Sequence, residues 1–237
     1  MKYYVKEAGI SFETSVDKRQ FGGVEMFGVL AEIKRTKVNP LWGIGVGGSI
    51  FSDPVFHNGR ILFGSCDKNF YCVTEDGREV WRFATNGPIL SSPVIKDNNA
   101  YFGSYDGNFY ALDIRSGELV WKFPTGDKVF SIPVVSDAAY FGSKDGNFYK
   151  VGLDGKLIWK FPVGSPVCSS PVVHRDMVFF GAADCNLYAL TLDGKLAWKF
   201  AAGDEIRFGL AAREGIVYFG SIDSNVYAVG LDGKKRW

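Results

Sequence analysis

Residues 100–110, AYFGSYDGNFY, decide the fold, because the same eleven positions return four more times along the chain. The other copies read ILFGSCDKNFY at 61–71, AYFGSKDGNFY at 139–149, VFFGAADCNLY at 178–188 and VYFGSIDSNVY at 217–227. Their glycines, Gly64, Gly103, Gly142, Gly181 and Gly220, are each 39 residues apart. A fixed period of this size marks one supersecondary unit copied repeatedly, so the architecture follows from the unit.

Outward from that stretch, residues 91–126 read as four strands. Pro93-Val94-Ile95 is a short β-branched run ended by the turn cluster Lys96–Asn99. Ala100–Ser104 is a second strand, and Tyr105–Asn108 a tight turn in which Gly107 and Asn108 suit positive φ. Phe109–Ile114 is a third strand, Arg115–Gly117 turns it, and Leu119–Phe123 is a fourth. No helical stretch is left for a crossover, so the unit is an antiparallel four-stranded sheet. One such sheet has two faces to cover and two edges to protect. Copies stacked face to face in a ring solve both problems. That is a β-propeller, whose blades take ~40 residues each. Pro54, Pro93, Pro133 and Pro171 all head the first strand, where a missing N–H is tolerated.

All six tryptophans, Trp42, Trp81, Trp121, Trp159, Trp198 and Trp237, form one series with steps of 39, 40, 38, 39 and 39. A ligand site does not require the same residue on every blade. The regular series therefore reads as structural, each indole filling the seam between neighbouring blades. Burial of a whole tryptophan contributes up to roughly 4–6 kcal/mol.

These residues resemble the pyrroloquinoline-quinone-like β-propeller repeat. That family includes quinoprotein dehydrogenases and the propeller lipoprotein of outer-membrane assembly. The tryptophan-docking pattern A-x-D-x-x-T/S-G-x-x-x-W is met in full by Ala111, Asp113, Ser116, Gly117 and Trp121. Other copies have a shorter Asp-Gly turn: Asp76-Gly77, Asp154-Gly155, Asp193-Gly194 and Asp232-Gly233. In the family's dehydrogenases the resemblance implies a quinone held by a vicinal disulfide, calcium and a catalytic aspartate. The cysteines here, Cys66, Cys72, Cys168 and Cys185, include no adjacent pair. Neither the quinone (PQQ) nor calcium is therefore expected, and no catalytic constellation is found.

Residues 52–237 are expected to be five repeats of one domain, with 1–51 as an atypical N-terminal blade of the same domain. YYVKE, ISFET and MFGVLAEI would supply three of its strands and Leu41–Gly48 the fourth. Six blades are the first choice, and seven or eight if the natural chain continues past Trp237.

Bulk composition narrows the partners. Lys+Arg 27 against Asp+Glu 26 gives a net charge of +1, so no basic field attracts nucleic acid. No run approaches the ~20 apolar residues of a membrane span, and MKYYVKEAGISFETS lacks a secretory h-region. Four cysteines in 237 residues do not make a disulfide framework. The expectation is a cytoplasmic protein without membrane insertion.

The candidate chemistry is spread out. Asp67, Asp106, Asp145, Asp184 and Asp223 each precede an asparagine by two residues, a calcium-like pattern on first sight. Calcium needs 6–8 converging oxygens, and one pair per blade does not converge. Such side chains instead bond their own turn backbone. His57 and His174 occupy equivalent turns 117 residues apart and cannot share a metal.

Where copies differ, packing does not fix the residue, and a binding surface is free to form. The second-to-third-strand turn varies as Cys66, Tyr105, Lys144, Ala183 and Ile222, and the loops between blades vary too. Both loop sets fall on one face of an antiparallel blade. Tyr105, Phe130, Lys144, Arg207 and Phe208 should therefore surround the channel mouth, an aromatic and cationic mixture of the kind enriched at interaction hot spots. The expected function is a non-enzymatic scaffold or interaction module that binds another protein through this face. The alternative is a small-molecule, quinone-type binder or oxidoreductase using the central funnel.

Overall fold

A computed structural model describes the backbone at 13–21 and 24–32 and whole residues over 43–237. Every regular element described is a strand. β1 (Glu13–Phe21) and β2 (Val24–Glu32) pair antiparallel within a compact unit, Met1–Gly43. The second unit, Ile44–Trp237, carries the repeats.

Its first sheet is β3 (Val55–His57), β4 (Arg60–Gly64), β5 (Asn69–Thr74) and β6 (Glu79–Ala84). The second is β7 (Val94–Lys96), β8 (Asn99–Gly103), β9 (Asn108–Asp113) and β10 (Leu119–Pro124). The third is β11 (Val134–Val135), β12 (Ala138–Gly142), β13 (Asn147–Gly152) and β14 (Leu157–Pro162). The fourth is β15 (Val172–His174), β16 (Met177–Gly181), β17 (Asn186–Thr191) and β18 (Leu196–Ala201). The fifth is β19 (Ala211–Arg213), β20 (Ile216–Gly220) and β21 (Val226–Gly230). Within each sheet the strands follow chain order, all antiparallel, as the repeat requires. Prolines 54, 93, 133 and 171 immediately precede β3, β7, β11 and β15. Of the two turn residues expected at positive φ, Gly107 takes it (83°), whereas Asn108 opens β9.

Six blades were expected, and part of the leader assigned to the sixth lies outside the described residues. The described residues hold five propeller sheets, and the fifth has three strands plus a bridge from Val229 to Lys235. Of the leader strands, YYVKE lies outside the described residues, as does Trp42. Residues 43–48, expected to end a fourth strand, form none. Gly43, Gly45, Gly47 and Gly48 offer no side chain to hold a pleat. The segment still docks on the first sheet, with Ile44 and Val46 packed against Phe63, Tyr71 and Val73.

Four apolar seams join the five sheets, and the first three repeat the same stacked ring pair. Phe70 stacks on Phe102, Phe109 on Phe141 and Phe148 on Phe180, with centroids 4.2, 4.1 and 4.0 Å apart. At the fourth seam Leu187 takes the phenylalanine position and packs with Phe219 instead. The signature glycine is required by closeness. A Cβ on Gly142 would sit 2.4 Å from the Val167 side chain and 2.5 Å from its carbonyl oxygen.

The indoles bridge successive sheets. Trp81, Trp121, Trp159 and Trp198 donate Nε1–H to the carbonyls of Ile114, Leu153, Leu192 and Leu231 at 3.2, 2.8, 3.0 and 2.7 Å. Each ring also covers a turn glycine, Gly117, Gly155, Gly194 or Gly233. They are half-buried rather than enclosed. Trp237 departs from the seam expectation: it is 60% exposed, with Tyr218 beside its ring at 6.3 Å. No further sheet among the described residues supplies a turn for it to cover.

Candidate functional site at the channel mouth

Alternation of the antiparallel strands puts the β4–β5-type turns and the inter-sheet loops at one end of the blades. The aspartates of those turns hold that end together. Asp106 accepts the Asn108 N–H at 3.0 Å within its own turn and the Asn86 N–H at 3.0 Å from the preceding sheet's loop. Asp67, Asp145 and Asp223 repeat this with Gly47, Gly126 and Gly203 at 2.9, 2.8 and 2.7 Å. The cross-seam bond is invisible in the D-x-N pattern, which shows only the local turn. Burial pushes the Asp106 carboxyl up, but the Tyr110 hydroxyl and the N–H donors outweigh it and hold it below the ordinary value.

Inside this rigid collar the variable residues converge. A cavity of about 230 Å³ is lined by Tyr105, Phe130, Lys144, Cys168, Arg207 and Phe208. Tyr105 comes from the β8–β9 turn and Lys144 from the β12–β13 turn. Phe130, Cys168 and the Arg207-Phe208 pair come from the loops ahead of β11, β15 and β19. Tyr105 meets Phe130 edge-on at 6.2 Å, and the ammonium groups of Lys128 and Lys144 lie 5.3 and 5.8 Å from its ring centre. Among the described residues neither lysine has a carboxylate partner. Arg207 is paired with Glu205 in its own loop.

Phe208 shows how the repeat makes room for a site. Ser52, Ser131 and Ser169 occupy its equivalent positions and tie down the signature glycine. The Ser169 hydroxyl donates to Gly181 O at 2.8 Å and accepts the Gly181 N–H at 2.7 Å. A phenyl ring cannot do this, and Phe208 is instead 66% exposed. Phe51, 67% exposed, belongs to the same face and was missed from sequence. Its signal was available, since it aligns with Phe130, Cys168 and Arg207 in the repeat.

Burial pushes the Cys168 thiol up, and Lys144 and Arg207 do not reverse it, so it lacks the lowered pKa of a nucleophile. The residues also do not fit a quinone with calcium. No cysteines are adjacent. The turn aspartates are committed to N–H donors, and no group of three or more His, Cys, Asp or Glu converges among the described residues. At about 230 Å³ the cavity is below the 300–1,000 Å³ typical of small-molecule pockets.

The family profile described as outer membrane protein assembly factor BamB matches residues 27–151 and 124–237. No curated protein matches the chain. The crystal structure of BamB from Moraxella catarrhalis is similar over 100% of this chain and 71% of its own, at 15% identity and a TM-score of 0.72. The computationally designed Ika8 protein is similar over 74% of this chain and 56% of its own, at 19% identity and a TM-score of 0.67. At such identities the likeness is one of fold.

Proposed function

The chain belongs to the PQQ-like repeat family of the outer membrane protein assembly factor BamB, and from that premise we propose a non-enzymatic propeller scaffold that binds another protein through the mouth face. The observation that carries this reading is the meeting of the variable residues around one shallow cavity, while the seams stay uniform. Tyr105, Phe130 and Phe208 offer aromatic anchors, and Lys128 and Lys144 offer cations without carboxylate partners among the described residues. A shallow cavity rimmed in this way suits a protein surface better than an enclosed small molecule.

The four unpaired cysteines support a reducing, cytoplasmic setting. Among the described residues no helix is long and apolar enough to cross a membrane.

A photo-crosslinking residue at Phe208 tests the reading in the native host. It should capture a discrete protein, and Tyr105→Ala with Phe130→Ala should abolish capture. The same residue at Ile158, exposed on β14, should capture nothing comparable. Equal capture from both positions would remove the mouth from consideration. The quinone alternative has its own readout. Saturation with quinone plus calcium at 100 times the dissociation constant would stabilise by about 2.7 kcal/mol, and no such shift is expected.

A further inference from the structure

At the opposite end of the blades lies a larger cavity, about 330 Å³, in the seam between the first and second sheets. This volume lies within the range of small-molecule pockets, unlike that of the mouth. Two arginines face it, Arg60 from the start of β4 and Arg115 from the β9–β10 turn. His57 and Asn58 from the β3–β4 turn and Asn98 from the β7–β8 turn complete the polar wall. The buried side chains of Leu62 and Ile114 form an apolar floor.

The site depends on residues that the repeat does not prescribe. At the position of Arg60 the other sheets carry Asn99, Ala138, Met177 and Ile216, none of them cationic. The second sheet has the long turn Asp113–Gly117, one residue longer than the Asp-Gly turns elsewhere. That turn presents two carbonyls to Arg60, whose Nη1 donates to Ile114 O at 2.7 Å and to Arg115 O at 3.1 Å. The guanidinium is thereby fixed in place, with Nε and Nη2 still carrying donors. Arg115 is exposed and makes no ion pair among the described residues. Asp113 beside it accepts the backbone N–H groups of Arg115 and Ser116 instead. No lining residue is acidic.

We propose that this cavity is a binding site for a small carboxylate with a short apolar tail. The carboxylate lies between Arg60 and Arg115, where forked N–H donors match its planar geometry. The side-chain amides of Asn58 and Asn98 add hydrogen bonds, and the tail rests on Leu62 and Ile114. A phosphate would gain the charge but leave the floor bare. The site is independent of the mouth and of any protein bound there.

Titration of the whole chain with valerate, followed by amide chemical shifts, tests the proposal. Saturable shifts are expected at Asn58, Asn98 and Arg115, with valeramide and inorganic phosphate giving none that saturate. Arg115→Gln, on an exposed side chain, should weaken valerate about tenfold, or 1.4 kcal/mol. Arg60→Gln should weaken it further, although that variant also loses two seam hydrogen bonds. Tyr105→Ala should leave the affinity unchanged. Equal responses to valerate and valeramide, equal binding of phosphate, or undiminished affinity in Arg115→Gln would each overturn the assignment.

Discussion

The seams and the mouth are built from the same 39-residue unit, yet they follow opposite rules. In the seams four successive sheet pairs repeat the indole–carbonyl bond and the turn glycine beneath the ring, and the first three also repeat the stacked phenylalanine pair. At the mouth equivalent positions hold Cys66, Tyr105, Lys144, Ala183 and Ile222, side chains with no common size or charge. Identity under repetition marks what packing requires, and divergence marks what packing leaves free. The fifth sheet provides an internal control, because its outer side lacks a described neighbour.

The sharpest way to break this comparison is to add one methyl group at equivalent glycines. Gly142→Ala drives a Cβ into Val167 and should cost about 3 kcal/mol or more in urea unfolding. Gly220→Ala meets nothing within 4 Å among the described residues and should change stability by less than about 1 kcal/mol. Similar costs at both sites would mean that glycine serves the strand backbone rather than the seam.

Removing an indole should show the next largest contrast. Trp121→Ala loses the bond to Leu153 and the cover over Gly155, an expected cost of about 3 kcal/mol. Trp237→Ala, at a ring 60% exposed, should cost under about 1 kcal/mol.

Acid should act on the aspartate collar that supports the mouth. A carboxyl held below its unfolded value adds stability that is complete above that value and disappears as pH falls through the folded one. The Tyr227 hydroxyl, together with the Asn225 and Gly203 N–H groups, brings Asp223 from 3.8 to about 2. Stability should therefore fall between pH 3.8 and about 2, and Asp223→Asn should flatten that limb. An unchanged limb in the variant would remove Asp223 from the collar.

The smallest expected effect concerns the turn position held by Gly107 and Gly146 at φ 83°. Cys185 stands there at φ 68°, so Cys185→Gly should relieve strain and stabilise by about 0.5–1 kcal/mol. A loss of stability would show that the thiol contributes more than the backbone.

The sheet order, the strand-heading prolines and the end of the blades that carries the variable loops were all legible in the sequence. Each depends on relations within one repeat or between neighbours. Other features depend on what a given copy meets in space. The repeat defines a unit but not how many units follow, so six blades were expected where five sheets are described. Trp237 holds the same place in the tryptophan series as Trp121, but no turn faces it among the described residues and it does not form the same contact. The bonds of Asp67, Asp106, Asp145 and Asp223 to Gly47, Asn86, Gly126 and Gly203 reach loop N–H donors about twenty residues earlier. The cavity at Arg60 arises from a carbonyl 54 residues away and a turn one residue longer than its counterparts; the longer turn was visible in the sequence, its contact with Arg60 was not.

If wedged rings hold the blades and the loops merely ride on them, two urea-unfolding curves should separate the two roles. The double variant Tyr105→Ala, Phe130→Ala should unfold within about 1 kcal/mol of the parent, while Trp121→Ala shifts by about 3 kcal/mol. The reverse order, with the loop variant the less stable, would contradict the account.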